Sequence, residues 1–221
     1  MGVVWHALWI FFLAPSLISA QLTWKQLTKT TSSTSSPEPR RDCAIGYNKA
    51  TSKIFIFGGR GASGNLDDTW SFDLKASNWT KENTVGTPGK RFSVVSGIWS
   101  NGFYVSTGEQ GSTFFDDIWR LDLNTFKWIK LPSGSTRPEN RYGSAGGFFQ
   151  QGNSSFFYLT HGFSGQRYSN TFLYDVSKKE GWKEVFGGTH SYTPNYPHAR
   201  CLHSAVMISR HELVMYGGCM G

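Results

Sequence analysis

Four short segments of this chain resemble one another and recur at a spacing of roughly fifty residues. They read IFIFGG (54–59), FYVSTG (103–108), FYLTHG (157–162) and LVMYGG (213–218). After each of the first three comes a second shared segment: DDTWSFDL (67–74), DDIWRLDL (116–123) and SNTFLYDV (169–176). A third follows: NWTKE (78–82), KWIKL (127–131) and GWKEV (181–185). A Pro-x-x-Arg step then leads onward, at Pro88 and Arg91, Pro138 and Arg141, and Pro197 and Arg200, with a looser copy at Pro37 and Arg40. The segments are short, rich in β-branched and aromatic residues, and bounded by Gly, Asn, Ser or Pro, which are strand signals. Four strands in each unit of about fifty residues imply an all-β chain of repeated, radially stacked sheets.

The chain resembles Kelch-repeat proteins from about residue 22 to its end. The Gly-Gly doublet, the downstream aromatic, the second Trp and the Pro-x-x-Arg step carry the resemblance. Two units depart from it, with Thr107-Gly108 and His161-Gly162 in place of the doublet and Phe172 in place of the Trp. The resemblance, to secreted members and the galactose oxidase-like propeller superfamily, implies a partial Kelch-type β-propeller. Three complete four-stranded blades are expected over about 40–82, 91–131 and 141–185, and two strands of a fourth over about 200–218. Thr23-Trp24-Lys25-Gln26-Leu27 aligns with the third segments and is expected as an outermost strand that fastens the last blade. Because a ring needs about 4–8 blades, the chain reads as a truncated part of a larger propeller.

Residues 1–20 hold an apolar stretch without Lys, Arg, Asp or Glu, followed by Ser19 and Ala20. That outline is a secretory signal peptide cut before Gln21, leaving 21–221 as the mature chain. Two sequons, at Asn78 and Asn153, fit the same route, so a secreted glycoprotein is expected. The formal charge of +7 comes from 22 basic and 15 acidic residues. They are scattered without a like-charge block, which argues against a nucleic-acid partner.

With strands named a to d from the axis outward, the b–c and d–a connections share one face of the disc. The short a–b and c–d turns share the other, and both sequons fall there. Long loops on a rigid scaffold are where binding resides, so the loop face is the candidate partner-binding face. Its candidate residues are Gln166, Arg167 and Tyr168 in a b–c loop and His190, Tyr192 and Tyr196 in a d–a loop. A protein partner is expected there, with a glycan as the alternative. Arg91, Arg141 and Arg200 are expected to pair with c-strand acids such as Asp68 and Asp117, or to stack on a blade Trp. Asp73, Asp122 and Asp175 read as turn-formers.

The last hairpin turns near Ser209-Arg210, which sets Cys201 opposite Cys219 and within disulfide reach. Cys43 is left buried and free, or paired with a cysteine that this sequence does not contain. No cofactor and no catalytic or metal-ligand pattern emerges: His-Glu-x-x-His, paired Cys-x-x-Cys and Glu-x-x-x-Asp-x-x-x-His are all absent. The expectation is therefore a non-enzymatic interaction scaffold. The alternatives are the N-terminal part of a galactose oxidase-like or epimerase-like enzyme, or of a membrane-anchored receptor ectodomain.

Overall fold

The computed structural model describes residues 25–27, 35–188, 196–209 and 211–220. Among them there is no helix, and the repeat units fold as antiparallel sheets. Blade 1 consists of strands a (Ala44–Asn48), b (Lys53–Phe57), c (Thr69–Asp73) and d (Asn78–Lys81), paired in that order. Blade 2 repeats it with Val95–Trp99, Gly102–Ser106, Ile118–Asp122 and Lys127–Leu131. Blade 3 uses Ala145–Gln151, Ser154–Ser164, Gln166–Asp175 and Trp182–Phe186. A hairpin of Ser204–Ser209 and Glu212–Tyr216 forms the two strands of a fourth. The a strands of successive blades adjoin one another. The architecture is a partial β-propeller, as the periodicity implies.

Alternation within the strands makes each blade apolar on both faces, so the sheets stack through shared cores. Phe55 and Phe57 of blade 1 meet Phe103, Val105, Leu121 and Trp128 of blade 2. Blade 2 in turn offers Val95, Tyr104 and Ile118 to Phe157, Tyr174 and Trp182 of blade 3. The d-strand aromatics Trp128 and Trp182 are buried in these seams, each ring about 5 Å from a partner, Phe57 for the first and Tyr174 for the second. Full burial of one such side chain contributes about 1.5–3 kcal/mol. Met207 of the last hairpin closes on Phe149, Phe156 and Tyr158 of blade 3. Turn chemistry agrees with the sequence: Asp73, Asp122 and Asp175 each accept two backbone N–H bonds from residues two and three ahead.

Two expectations need adjustment. The b–c connections are tight ribbons rather than open loops: Arg60–Gly61 pairs with Gly64–Asn65, and Glu109–Gln110 pairs with Thr113–Phe114. In blade 3 the ribbon is continuous with strands b and c, through a bulge between Thr160 and Gly162. At the other end of the chain, Lys25–Leu27 are exposed and belong to no strand. Thr23, Trp24 and the leader expected over 1–20 lie outside the described residues.

The Gly doublet has a physical basis that also explains its exceptions. Its first position takes a left-handed conformation, with φ of 63° at Gly58, 63° at Thr107 and 59° at His161. Non-glycine residues tolerate that region at moderate cost. The second position is Gly in all four units, with φ of 104° at Gly108 and 119° at Gly162. A Cβ on Gly108 would lie 2.6 Å from Val94 Cγ1 and 2.9 Å from the Phe92 carbonyl oxygen. Gly108→Ala is therefore expected to destabilise the fold by about 1–3 kcal/mol, whereas Thr107→Gly stays within about 1 kcal/mol of the parent. Urea unfolding of the two variants checks the contrast.

Candidate functional site

The arginine that opens each repeat organises the loop face. Arg91 is buried, and its guanidinium donates to Asp117 Oδ1 (2.7 Å), to the Thr107 carbonyl (3.2 Å) and to the Pro88 carbonyl. The ring it stacks on is Phe115, 3.8 Å from the guanidinium carbon, and not a blade Trp. Arg40 repeats the scheme with Asp68 and the Gly58 carbonyl. In both blades the same Asp accepts the indole N–H two residues on, Trp70 at 2.6 Å and Trp119 at 2.8 Å. Asp68 is held below the usual carboxylate range by Arg40 and Trp70 against the opposing effect of burial.

Blade 3 solves the same problem differently. Asn170 stands where the other blades have Asp, so Arg141 bonds the Asn170 amide oxygen at 2.7 Å and takes its countercharge from Glu139. Asn170 uses its amide protons on Glu139 and Glu184. Phe172 occupies the Trp position. Burial lowers the Arg141 pKa to about 10, which still leaves it charged at neutral pH. Tyr168 covers the guanidinium at 3.9 Å and is itself buried. Tyr168 is thus a lid on Arg141, and its burial leaves little of the ring exposed.

The other candidates divide. Gln166 is exposed beside the ribbon turn at Gly165. Arg167 lies over Phe163 at 5.7 Å and donates to the Cys219 carbonyl. Tyr196 is half exposed and stacks on Phe186 at 5.5 Å. His190 and Tyr192 lie outside the described residues. Asn78 and Asn153 are exposed at the c–d and a–b turns, on the side away from the ribbons. Cys201 and Cys219 face each other in antiparallel register, as the hairpin arithmetic requires, with no disulfide joining them. Cys43 is free and half-buried.

Between the ribbons and the a strands lies a cup of about 690 Å³ that the sequence reading did not single out. One repeating position borders it. The residue after each repeat arginine pairs with the residue after the Gly doublet, giving Arg41–Arg60, Phe92–Glu109, Tyr142–Phe163 and Cys201–Cys219 around the axis, and of these Arg41, Arg60, Phe92, Glu109 and Tyr142 line the cup itself. The guanidiniums of Arg41 and Arg60 both lie over the Phe92 ring, at 6.0 and 5.7 Å. Tyr142 stacks on Phe114 from the neighbouring ribbon. Partial burial raises the Glu109 pKa, against the pull of Arg60. The cup therefore presents two guanidiniums, Arg41 paired with Asp42 at 2.8 Å and Arg60 beside Glu109, next to flat aromatic surface, a combination suited to a carboxylate that competes with these acids and lies beside apolar groups. Among the described residues no three His, Cys, Asp or Glu side chains gather as a metal cage.

His203 lines the cup, is nearly buried, and has neither ring nitrogen hydrogen-bonded within the described residues. His161 sits 5.2 Å away, ring to ring, with Nδ1 2.7 Å from Thr160 Oγ1. Desolvation, with Arg200 and, for His161, the paired His203 and Arg141 adding to it, lowers the His161 pKa to about 3 and that of His203 to about 4. Both are neutral in the fold at neutral pH, whereas an unfolded chain protonates them near 6.5. The unfolded state then binds more protons, so their contribution is intact above pH 6.5 and declines as pH falls toward the folded values. Urea unfolding at pH 5 is expected to show a loss of about 3–4 kcal/mol from this pair relative to pH 7. His203→Phe should shrink that difference.

A family model described as the KLHDC2/KLHL20/DRC7 Kelch-repeats domain matches residues 14–218. No curated protein matches the chain. The match takes in every blade strand and every repeat arginine described above, and the chain belongs to this Kelch-repeat family.

Proposed function

We propose that the chain is a protein-interaction scaffold whose loop face receives an extended, acidic stretch of a partner protein. The observation that carries this reading is the pair of guanidiniums, Arg41 and Arg60, over Phe92 at the mouth of the cup. Arg and aromatic residues are the usual anchors of binding surfaces. The excess of basic over acidic residues would speed the approach of such a partner. Gln166, Arg167 and Tyr196 border the same face and extend the contact surface; a glycan partner would instead rest on the aromatic walls alone. Membership of a Kelch family supports interaction rather than catalysis as the role.

Export belongs to the same proposal. The apolar leader over residues 1–20 and the exposed Asn78 and Asn153 suit a secreted glycoprotein. Glycans at those positions would leave the cup bare.

Fluorescence polarisation against acidic, neutral and basic peptides of equal length tests the binding reading. Acidic peptides should bind with an affinity that falls as salt rises, and Arg41→Glu with Arg60→Glu should weaken them about ten-fold or more. Equal binding of all three peptide classes, or none by the acidic set, would remove it. For export, peptide N-glycosidase should shift the apparent mass of protein collected from the medium of expressing cells. Asn78→Gln and Asn153→Gln together should abolish that shift without changing peptide affinity.

A further inference from the structure

Of the four rim pairs around the axis, the last is made of two thiols. The backbone of Cys201 and Cys219 forms a hydrogen-bonded antiparallel pair: the Cys201 N–H donates to the Cys219 carbonyl (3.2 Å) and the Cys219 N–H to the Cys201 carbonyl (2.9 Å). Residues so paired stand about 5.5 Å apart at Cα, inside the 4.4–6.8 Å window that a disulfide spans. The two side chains lie on one side of the ladder. Cys219 Sγ is 3.4 Å from the Cys201 carbonyl oxygen. The pair is also asymmetric: Cys201 is buried and Cys219 exposed. Arg167, reaching over from the blade 3 ribbon, bonds the Cys219 carbonyl at 3.3 Å and places a positive charge beside the exposed sulfur.

We infer that Cys201 and Cys219 form a thiol–disulfide switch that pins the segment after strand Glu212–Tyr216 to the strand start beside the cup, with Cys219 as the attacking thiol and Cys201 as the resolving one. Contact with the Cys201 thiol and with Arg167 lowers the Cys219 pKa, while burial pushes Cys201 up to about 11, so the accessible sulfur is also the readier thiolate. Burial raises Cys43 as well, and its place at the start of blade 1 gives it no rim partner of its own kind. The chemistry closes with a low-molecular-weight disulfide as oxidant. The Cys219 thiolate attacks one sulfur of oxidised glutathione, forming a mixed disulfide and releasing one glutathione thiolate, which takes a proton. Cys201 then loses its proton to solvent and attacks the Cys219 sulfur, releasing the second glutathione. Two protein thiols are oxidised by two electrons, and one glutathione disulfide is reduced to two thiols. The inference stands whether or not an acidic partner occupies the cup, and its readout requires no partner.

The protein is equilibrated in glutathione buffers of graded redox poise, quenched by alkylation and digested with trypsin without reduction. Cleavage after Arg41, Lys49, Arg200 and Arg210 places each cysteine on its own peptide. The expected product under oxidising buffer is Cys201–Arg210 joined to His211–Gly221, with Asp42–Lys49 carrying the alkyl group, and reducing buffer should reverse it. Cys201→Ser should accumulate the glutathione adduct on Cys219, Cys219→Ser should leave both remaining thiols alkylated, and Arg167→Gln should slow disulfide formation at pH 7. Three alkylated cysteines at every poise would overturn the inference. So would glutathione retained on Cys219 of the parent protein, or a link to Asp42–Lys49. The parent digest decides the matter even if the Cys201 variant fails to fold.

Discussion

Each blade is joined to the next through the backbone of an arginine, buried at Arg91 and Arg141 and half-buried at Arg200. The Arg91 N–H donates to the Leu66 carbonyl of blade 1, and the Arg91 carbonyl accepts from Gly59 of that blade. Arg141 bridges Phe115 and Gly108 in the same way, and Arg200 bridges Tyr168 and Gly162. Meanwhile the side chain of each arginine serves its own blade, bonding the first carbonyl of the doublet: Gly58, Thr107, His161 or Gly217. One residue thus fixes both the internal corner of a sheet and the distance to its neighbour. The charge is costly to bury, and the two fully buried arginines, Arg91 and Arg141, each hold an acid, Asp117 and Glu139. The value of that charge is therefore geometric more than energetic, since stacked apolar sheets alone would slide.

A second course of inter-blade bonds follows from the first. The residue two places after each arginine also has positive φ, at Asp42, Ser93, Gly143 and Leu202. That turn lets Ser93 N–H reach the Asp42 carbonyl (2.8 Å), Gly143 reach Ser93 (3.2 Å) and Leu202 reach Gly143 (2.8 Å). A stair of backbone hydrogen bonds therefore circles the axis at the floor of the cup. Hydroxyls complete the seam lower down. Ser96 bonds both backbone groups of Ile45, and the Tyr158 hydroxyl joins the Ala205 carbonyl to the Met207 N–H. A rigid floor leaves the residues between arginine and stair free to vary, and they do so as Arg, Phe, Tyr and Cys. Variation on a fixed frame is what a recognition surface requires.

Blade 3 shows how local changes stay consistent with that frame. Asn170 where the other blades have Asp, Phe172 where they have Trp, and Glu139 as the acid all gather around one guanidinium, that of Arg141. His161 in the doublet departs from the repeat as well. It occupies a left-handed position and packs on His203 of the next hairpin, so the departure in one blade is absorbed by the blade that follows.

Much of this was open to reading in the chain itself. The order and pairing of strands, the Asp-led turns, and the register that opposes Cys201 to Cys219 all follow from local periodicity, because turn length and alternation fix which residues meet across a hairpin. The side from which Asn78 and Asn153 emerge follows from the same alternation. The cup did not. Arg41, Phe92, Tyr142 and Cys201 sit at equivalent places in units about fifty residues apart, and although the repeat implies an axis, it does not say which side chains face one another across it. Nor could spacing reveal that Tyr168 would turn inward to cover Arg141, since that depends on a guanidinium delivered by a strand far away in sequence. Local chemistry settled what each sheet is; the angle at which buried arginines hold one sheet against the next decided which side chains share a site.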